Sequence, residues 1–204
     1  NHKVRAANFR IHKPCNIRFF DITSDYGNDM FKRSLFFLLF KAVSDLYPQA
    51  KLRILHSISG GKYCGLTGLN QPITQEIVDE LKARMDELIE QDIPFERLEL
   101  PTAEALQMYA DHGLTEKANL FKYRKRLFTS IYKLDDKINY YYGFLVPSTK
   151  YLKPYGLEMY ESGLLLKIPS RHHPETIGPT RQLPKLFAVY KEYKNWAIQI
   201  GVPY

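Results

Sequence analysis

Cysteine is scarce, with Cys15 and Cys64 the only two in 204 residues. That number excludes a disulfide-dense secreted scaffold and a cysteine-rich zinc module, and a reducing, cytoplasmic setting is expected. Long apolar runs are missing too. The strongest, Leu35-Phe36-Phe37-Leu38-Leu39-Phe40, closes at Lys41, far short of the roughly 20 residues a membrane span needs. No membrane partner is expected. The opening Asn1-His2-Lys3-Val4-Arg5 is polar and basic and does not read as a secretory signal. Because the first residue is not methionine and Gly201-Val202-Pro203-Tyr204 is a short connector, both ends are expected to be cuts in a longer chain.

The familiar chemical motifs are also absent. Gly60-Gly61-Lys62-Tyr63 lacks the first glycine and the hydroxyl of a phosphate loop, and neither GxGxxG nor GxSxG occurs. None of the six histidines is paired at the i, i+4 spacing that lets two imidazoles on one helix face share a metal ion. His56 is expected as a hydrogen-bonded core residue, His172-His173 as loop polarity, and the two cysteines as small buried hydrophobes.

What is present is enough to fold. Apolar residues make up 45% and aromatics 14% of the chain, which excludes disorder for most of it. The net charge of +7 is modest for this length, and solvated surface explains it better than a phosphate-contacting face. Denser basic groups stand at Arg5/Arg10/Lys13/Arg18, Lys32/Arg33 and Lys122/Arg124/Lys125/Arg126.

The periodicity predicts two short strands, Val4 to Phe9 and Ile17 to Ile22, closed by a turn at Ser24-Asp25-Tyr26-Gly27. From Asn28 a helix buried on several faces runs to Pro48. Leu52, Ile54, His56 and Ile58 alternate as a strand, and Gly60-Gly61 turns the chain into a second strand around 62 to 66. Thr74 caps an amphipathic helix carrying Ile77, Leu81, Met85, Leu88 and Ile89. A strand over 94 to 100, a helix from Thr102 to Gly113 and a further helix near Thr115 follow. Residues 127 to 133, 137 to 146 and 163 to 168 read as strands with Asp135-Asp136 as a turn, 169 to 182 as a loop, and Leu183 to Ile200 as a last helix. The fold class is therefore α+β, an antiparallel sheet packed with helices.

The order of elements from Arg33 to about Tyr109 resembles the editing domain that bacterial threonyl-tRNA synthetase shares with alanyl-tRNA synthetase. It runs from Arg33-Ser34-Leu35-Phe36-Phe37-Leu38-Leu39 through Leu46-Tyr47-Pro48 and Gly61-Lys62-Tyr63 to Ile73-Thr74, Leu81 to Met85 and Asp92-Ile93-Pro94-Phe95. The resemblance implies that residues 1 to 27 end a ubiquitin-like (TGS, β-grasp) domain. Residues 28 to 168 then form a degenerate editing domain, and 169 to 204 a loop and helix leading to another domain.

In that family the pocket is marked by HSxxH and CRGPHVP. These fall on Arg33 to Phe37 and on Tyr141 to Pro147, so Arg33, Phe37, Tyr141 and Leu145 stand where the family has three histidines and a cysteine. A guanidinium has no lone pair to offer, and Phe and Leu neither ligate metal nor move protons. No catalytic residue and no metal ligand is therefore expected.

Phrases such as Phe31-Lys32-Arg33-Ser34-Leu35-Phe36-Phe37-Leu38-Leu39, His56-Ser57-Ile58-Ser59-Gly60-Gly61 and Leu183-Pro184-Lys185 to Pro203 further resemble the synthetase-like region that precedes the kinase in bacterial uridine kinase-like nucleoside kinases. That resemblance implies a covalently attached kinase domain using ATP and Mg²⁺, with no cofactor within these 204 residues. The region itself is then a noncatalytic accessory or regulatory part. Its candidate cleft is Arg33, Phe37, Tyr141, Tyr142 and Leu145, holding a nucleotide or aminoacyl-like ligand or else simply filled by packing. A second reading is an RNA-binding module using Arg124, Lys125 and Arg126. A third, the least favoured, is an active trans-editing deacylase.

Overall fold

The computed structural model describes residues 4–7, 9–114, 119, 121 and 126–202. Its centre is α1 (Asp25–Leu46), in which Leu35, Phe37, Leu38, Leu39 and Ala42 are fully buried. A helix enclosed on several sides needs apolar residues around most of its circumference, which the run 35 to 43 supplies. Ser24 caps it, its Oγ accepting the Gly27 N–H at 3.1 Å. The predicted turn at 24 to 27 is thus the cap and first turn of α1, which starts three residues before Asn28.

Two antiparallel sheets lie against this helix. The first, in the order β1-β2-β7-β6, is built from β1 (Lys51–Ile58), β2 (Gly61–Thr67), β6 (Gly156–Tyr160) and β7 (Gly163–Lys167). Ser59 and Gly60, with φ of 49° and 72°, form the two-residue turn between β1 and β2. Positive φ at both central residues matches the right-handed twist of the flanking strands. The second sheet is β3 (Glu96–Pro101), β4 (Phe128–Leu134) and β5 (Lys137–Asn139).

Helix α2 (Gln75–Glu90), capped by Thr74, lays Ile77, Val78, Leu81, Met85, Leu88 and Ile89 into the main core. The short α3 (Thr102–Asp111) covers the second sheet through Ala105 and Tyr109. Helix α4 (Pro184–Gln199) rests on β1 and β2 through Phe187, with His56 stacked on Tyr190 at 3.7 Å between ring centroids. The architecture is the expected mixture of antiparallel sheets and packed helices. Among the described residues no helix is long and apolar enough to cross a membrane.

Several local expectations are corrected. Val4 to Phe9 and Ile17 to Ile22 form no strand among the described residues, and Phe9, Ile17 and Phe19 are exposed. Alternation alone does not make a strand; a ladder partner must satisfy the backbone. The predicted strand 137 to 146 pairs only over 137–139, and β6 is additional. The helix expected near Thr115 falls largely outside the described residues. His56 stacks rather than hydrogen-bonds, its Nε2 buried without a partner. Cys64 is buried, and burial pushes its thiol up to about 12, whereas Cys15 is exposed.

One polar cluster fastens α1 to its neighbours. The buried Lys41 Nζ donates to Asp45 Oδ1 and Asp136 Oδ1, both at 2.7 Å, and lies 3.3 Å from Asp135. Arg84 of α2 reaches the same Asp45, with Nη2 at 2.8 Å. Burial works against the charge on Lys41, but the three carboxylates outweigh it and raise its pKa.

Candidate functional site

The segment 141–147 leaves β5, crosses the N-terminal half of α1 and forms no ladder of its own. Its backbone is held by Arg33 and Ser34 of α1, by the Tyr132 hydroxyl of β4, which donates to Gly143 O at 2.9 Å, and by the Phe95 N–H. Arg33 Nε and Nη2 both donate to the Phe144 carbonyl, at 3.2 and 3.1 Å. Ser34 Oγ accepts the Val146 N–H at 2.9 Å while donating to Met30 O at 2.7 Å. Phe95 N–H donates to Pro147 O at 3.0 Å. Gly143 sits at φ +109°, and a Cβ there would lie 3.0 Å from Arg33 Nη2. The positive φ is what favours glycine here, since a side chain would strain the backbone and also press on the guanidinium.

Beneath this segment the space is filled. Phe37, fully buried, packs its ring 5.4 Å from Tyr141, 5.8 Å from Phe95 and 6.2 Å from Phe40. Leu145 closes the cluster and is buried as well. The Tyr141 hydroxyl accepts from Asn139 Nδ2 at 3.3 Å, and burial pushes its phenol well above the ordinary range. Four of the five residues predicted for the cleft are therefore brought together. Tyr142 stands apart from the buried cluster; 78% exposed, it lies on the wall of an open cleft that Arg33 and Tyr141 also line.

Ser34→Ala tests this arrangement at small cost to packing. With the acceptor gone, the Val146 N–H is left partly buried and unsatisfied, and a loss of about 1–2 kcal/mol is expected in a urea titration. A change below a few tenths would mean that the crossing segment does not depend on Ser34.

Above the filled pocket lies an open cleft of about 600 Å³ between α1 and the second sheet. Arg33, Arg97 and Arg126 line it together with Asp29, Glu99 and Tyr142. The Arg97 guanidinium stands 5.3 Å over the Phe144 ring and donates to Ser130 Oγ. Of the predicted basic trio, Arg124 and Lys125 lie outside the described residues, and Arg126 is exposed on the cleft wall. Sequence reasoning missed Arg97, Glu99 and Ser34. Arg97 and Glu99 carry a readable signal, since alternate charged residues on one strand share a face.

Chemically, the four positions offer a guanidinium already bound to a carbonyl, a half-buried phenol at the edge of the open cleft, and two apolar side chains. No group of three or more His, Cys, Asp or Glu able to hold a metal is found among the described residues. The ring contacts of Phe37 are Phe40, Phe95 and Tyr141, of which only Tyr141 carries a polar group.

No known family profile matches the chain. It is similar to the threonine–tRNA ligase of Clostridium kluyveri, 29% identical over 148 residues, covering 72% of this chain and 23% of the ligase. Against the threonine–tRNA ligase of Clostridioides difficile it is 30% identical over 159 residues, 78% of this chain and 25% of the relative. That of Carboxydothermus hydrogenoformans is 28% identical over 158 residues, 77% of this chain and 25% of the relative. The chain spans about a quarter of the length of these curated relatives. Over about three quarters of its own length it is homologous to the N-terminal region of threonyl-tRNA synthetases.

Proposed function

We propose that this region is a noncatalytic accessory domain of synthetase ancestry, its inherited editing pocket closed by Arg33, Phe37, Tyr141 and Leu145. The observation that carries the reading is the use made of the vacated space. Arg33 is committed to the Phe144 carbonyl, and an aromatic cluster around Phe37 occupies the place where metal-ligating groups would stand. In this reading residues 1 to 27 end a β-grasp domain and 28 to 168 form the degenerate editing domain. The parent protein is then a uridine kinase-like nucleoside kinase that uses ATP and Mg²⁺, a part that rests on the sequence resemblance at 31–39, 56–61 and 183–203 alone. A deacylation assay on mischarged threonine tRNA should give hydrolysis no faster than buffer. Turnover that disappears in Phe37→Ala would sink the noncatalytic reading. For the kinase, the full-length protein should transfer phosphate from ATP to uridine or cytidine, and a failure with both removes the kinase while leaving the domain assignment intact.

A specific observation favours a second reading, an RNA-binding surface. The cleft gathers three arginines, and the exposed rings of Tyr26, Phe128 and Tyr142 stand along it. Arginines tracking a backbone and aromatic faces for stacking are the two parts of a single-strand site. Retention of tRNA at low salt should fall steeply as salt is added. Arg97→Gln with Arg126→Gln should weaken it, and no retention by the unaltered protein ends this reading.

A further inference from the structure

A second cavity, of about 380 Å³, opens at the start of α1 and shares no lining residue with the arginine cleft. Asn28 and Lys32 come to it from α1, Lys167 from the end of β7, and Arg171 from the following loop. No carboxylate is among its lining residues. Ile168 and Pro179 give it an apolar wall.

Asn28 is the informative residue. It is only 5% exposed, and while its backbone N–H donates to Ser24 O, its side-chain amide makes no hydrogen bond. The amide lines the cavity and is not sealed within the protein, so it can turn its hydrogen-bonding capacity to a ligand there without giving up a protein partner. It stands in the first turns of a helix of 22 residues, where the backbone dipole favours negative charge. Lys32 follows one turn later on the same face.

The cations differ in how freely they can turn to a ligand. Lys167 is committed: its Nζ donates to Gly178 O and to Thr180 Oγ1 and lies 3.5 Å from Glu158, so it holds the loop as a wall. Lys32 and Arg171 instead meet Asp29 and Asp25 in solvent-exposed pairs, the former at 3.6 Å. Such pairs are worth about 0–1 kcal/mol and yield readily to a stronger anion.

We propose that this cavity binds a small phosphate monoester. Lys32 and Arg171 take the phosphoryl oxygens, the Asn28 amide donates to one of them, and the organic body lies against Ile168 and Pro179. A monoester with two negative charges and three terminal oxygens suits two mobile cations and one fixed amide, which a monocarboxylate would leave partly unused. The cavity's size limits the body to a small molecule.

Thermal unfolding and calorimetric titration with glycerol 3-phosphate test this, with inorganic phosphate, glycerol, and sodium chloride at equal ionic strength as separate arms. Saturable binding of glycerol 3-phosphate is expected, raising the midpoint by about 3 °C at tenfold the Kd. Inorganic phosphate should bind more weakly, and glycerol and chloride should leave the midpoint unchanged. Lys32→Gln with Arg171→Gln should reduce affinity at least about tenfold, and Asn28→Leu several-fold, as loss of a charge-assisted hydrogen bond does. The double variant alters only an exposed and a half-exposed side chain held in surface ion pairs, so it remains informative even if Asn28→Leu folds poorly. The proposal is overturned if the unaltered protein shows no saturable response to glycerol 3-phosphate beyond that of chloride, or if the response survives the double variant.

Discussion

Phe37→Ala is expected to lower the stability of the protein by about 4 kcal/mol, the upper part of the range for truncating a fully buried aromatic side chain. The ring is wholly enclosed and meets three other rings, those of Phe40, Phe95 and Tyr141. Neighbours from α1 itself, from the residue before β3 and from the crossing segment cannot all move inward together, so most of the vacated volume would remain as a void. Phe37→Leu keeps an apolar plug and should cost about 1–2 kcal/mol. Phe37→His places a polar ring among aromatic contacts and should cost more than the leucine variant, because its nitrogens would lack partners. Chemical denaturation of the three variants gives the order directly. If alanine costs less than about 1 kcal/mol, the space under 141–147 is not a filled pocket and the noncatalytic reading loses its main support.

Lys41→Met is expected to cost about 2 kcal/mol, less than the roughly 3–5 that follow removal of one partner from a fully buried pair. The discount comes from its carboxylates. Asp135 and Asp136 are 59% and 55% exposed and can return to water, and Asp45 keeps Arg84. The same cluster sets the acid limb of stability. Burial raises the Asp136 pKa, but Lys137 and Lys41 outweigh it and take the carboxyl from 3.8 to about 2. Because the folded value lies below the unfolded one, this contribution is complete above pH ~4 and is lost as pH falls through about 2. Denaturation measured from pH 6 to pH 2 should show that decline in the unaltered protein and a shallower one in Lys41→Met. Equal slopes in the two would mean that Lys41 does not hold Asp136 in its ionised form.

Much of the fold is legible where local chemistry and tertiary demand agree. Thr74 before a clean apolar stripe names α2, and Gly60-Gly61 between two alternating runs marks the first hairpin, although the turn itself is Ser59-Gly60 and Gly61 already belongs to β2. The segment 140–147 misleads because Tyr, Leu and Val have strand propensity, while the bonds that fix its path over α1 come from Arg33 and Ser34, more than a hundred residues earlier. No local pattern carries that information. The N-terminal runs fail for a related reason, since a strand is a property of a pair. At the site, Arg33, Phe37, Tyr141 and Leu145 are reached by comparing two motifs with a family. The cleft formed by Arg97, Arg126 and Glu99 depends on how the second sheet stands over α1, which no spacing along the chain encodes.

Helix α1 contributes Asn28 and Lys32 to one cavity, Arg33 and Phe37 to the closed pocket, and Lys41 to the acidic cluster. These roles share one angular register, since each added residue turns a helix by about 100°. A single-residue insertion between Arg33 and Lys41 would therefore rotate everything downstream away from its partners, even though no contact residue had changed. An insertion of the same size at 174–176, between Arg171 and the Gly178 carbonyl that Lys167 holds, has no helical phase to disturb, so the two segments should differ sharply in the length variation they accept.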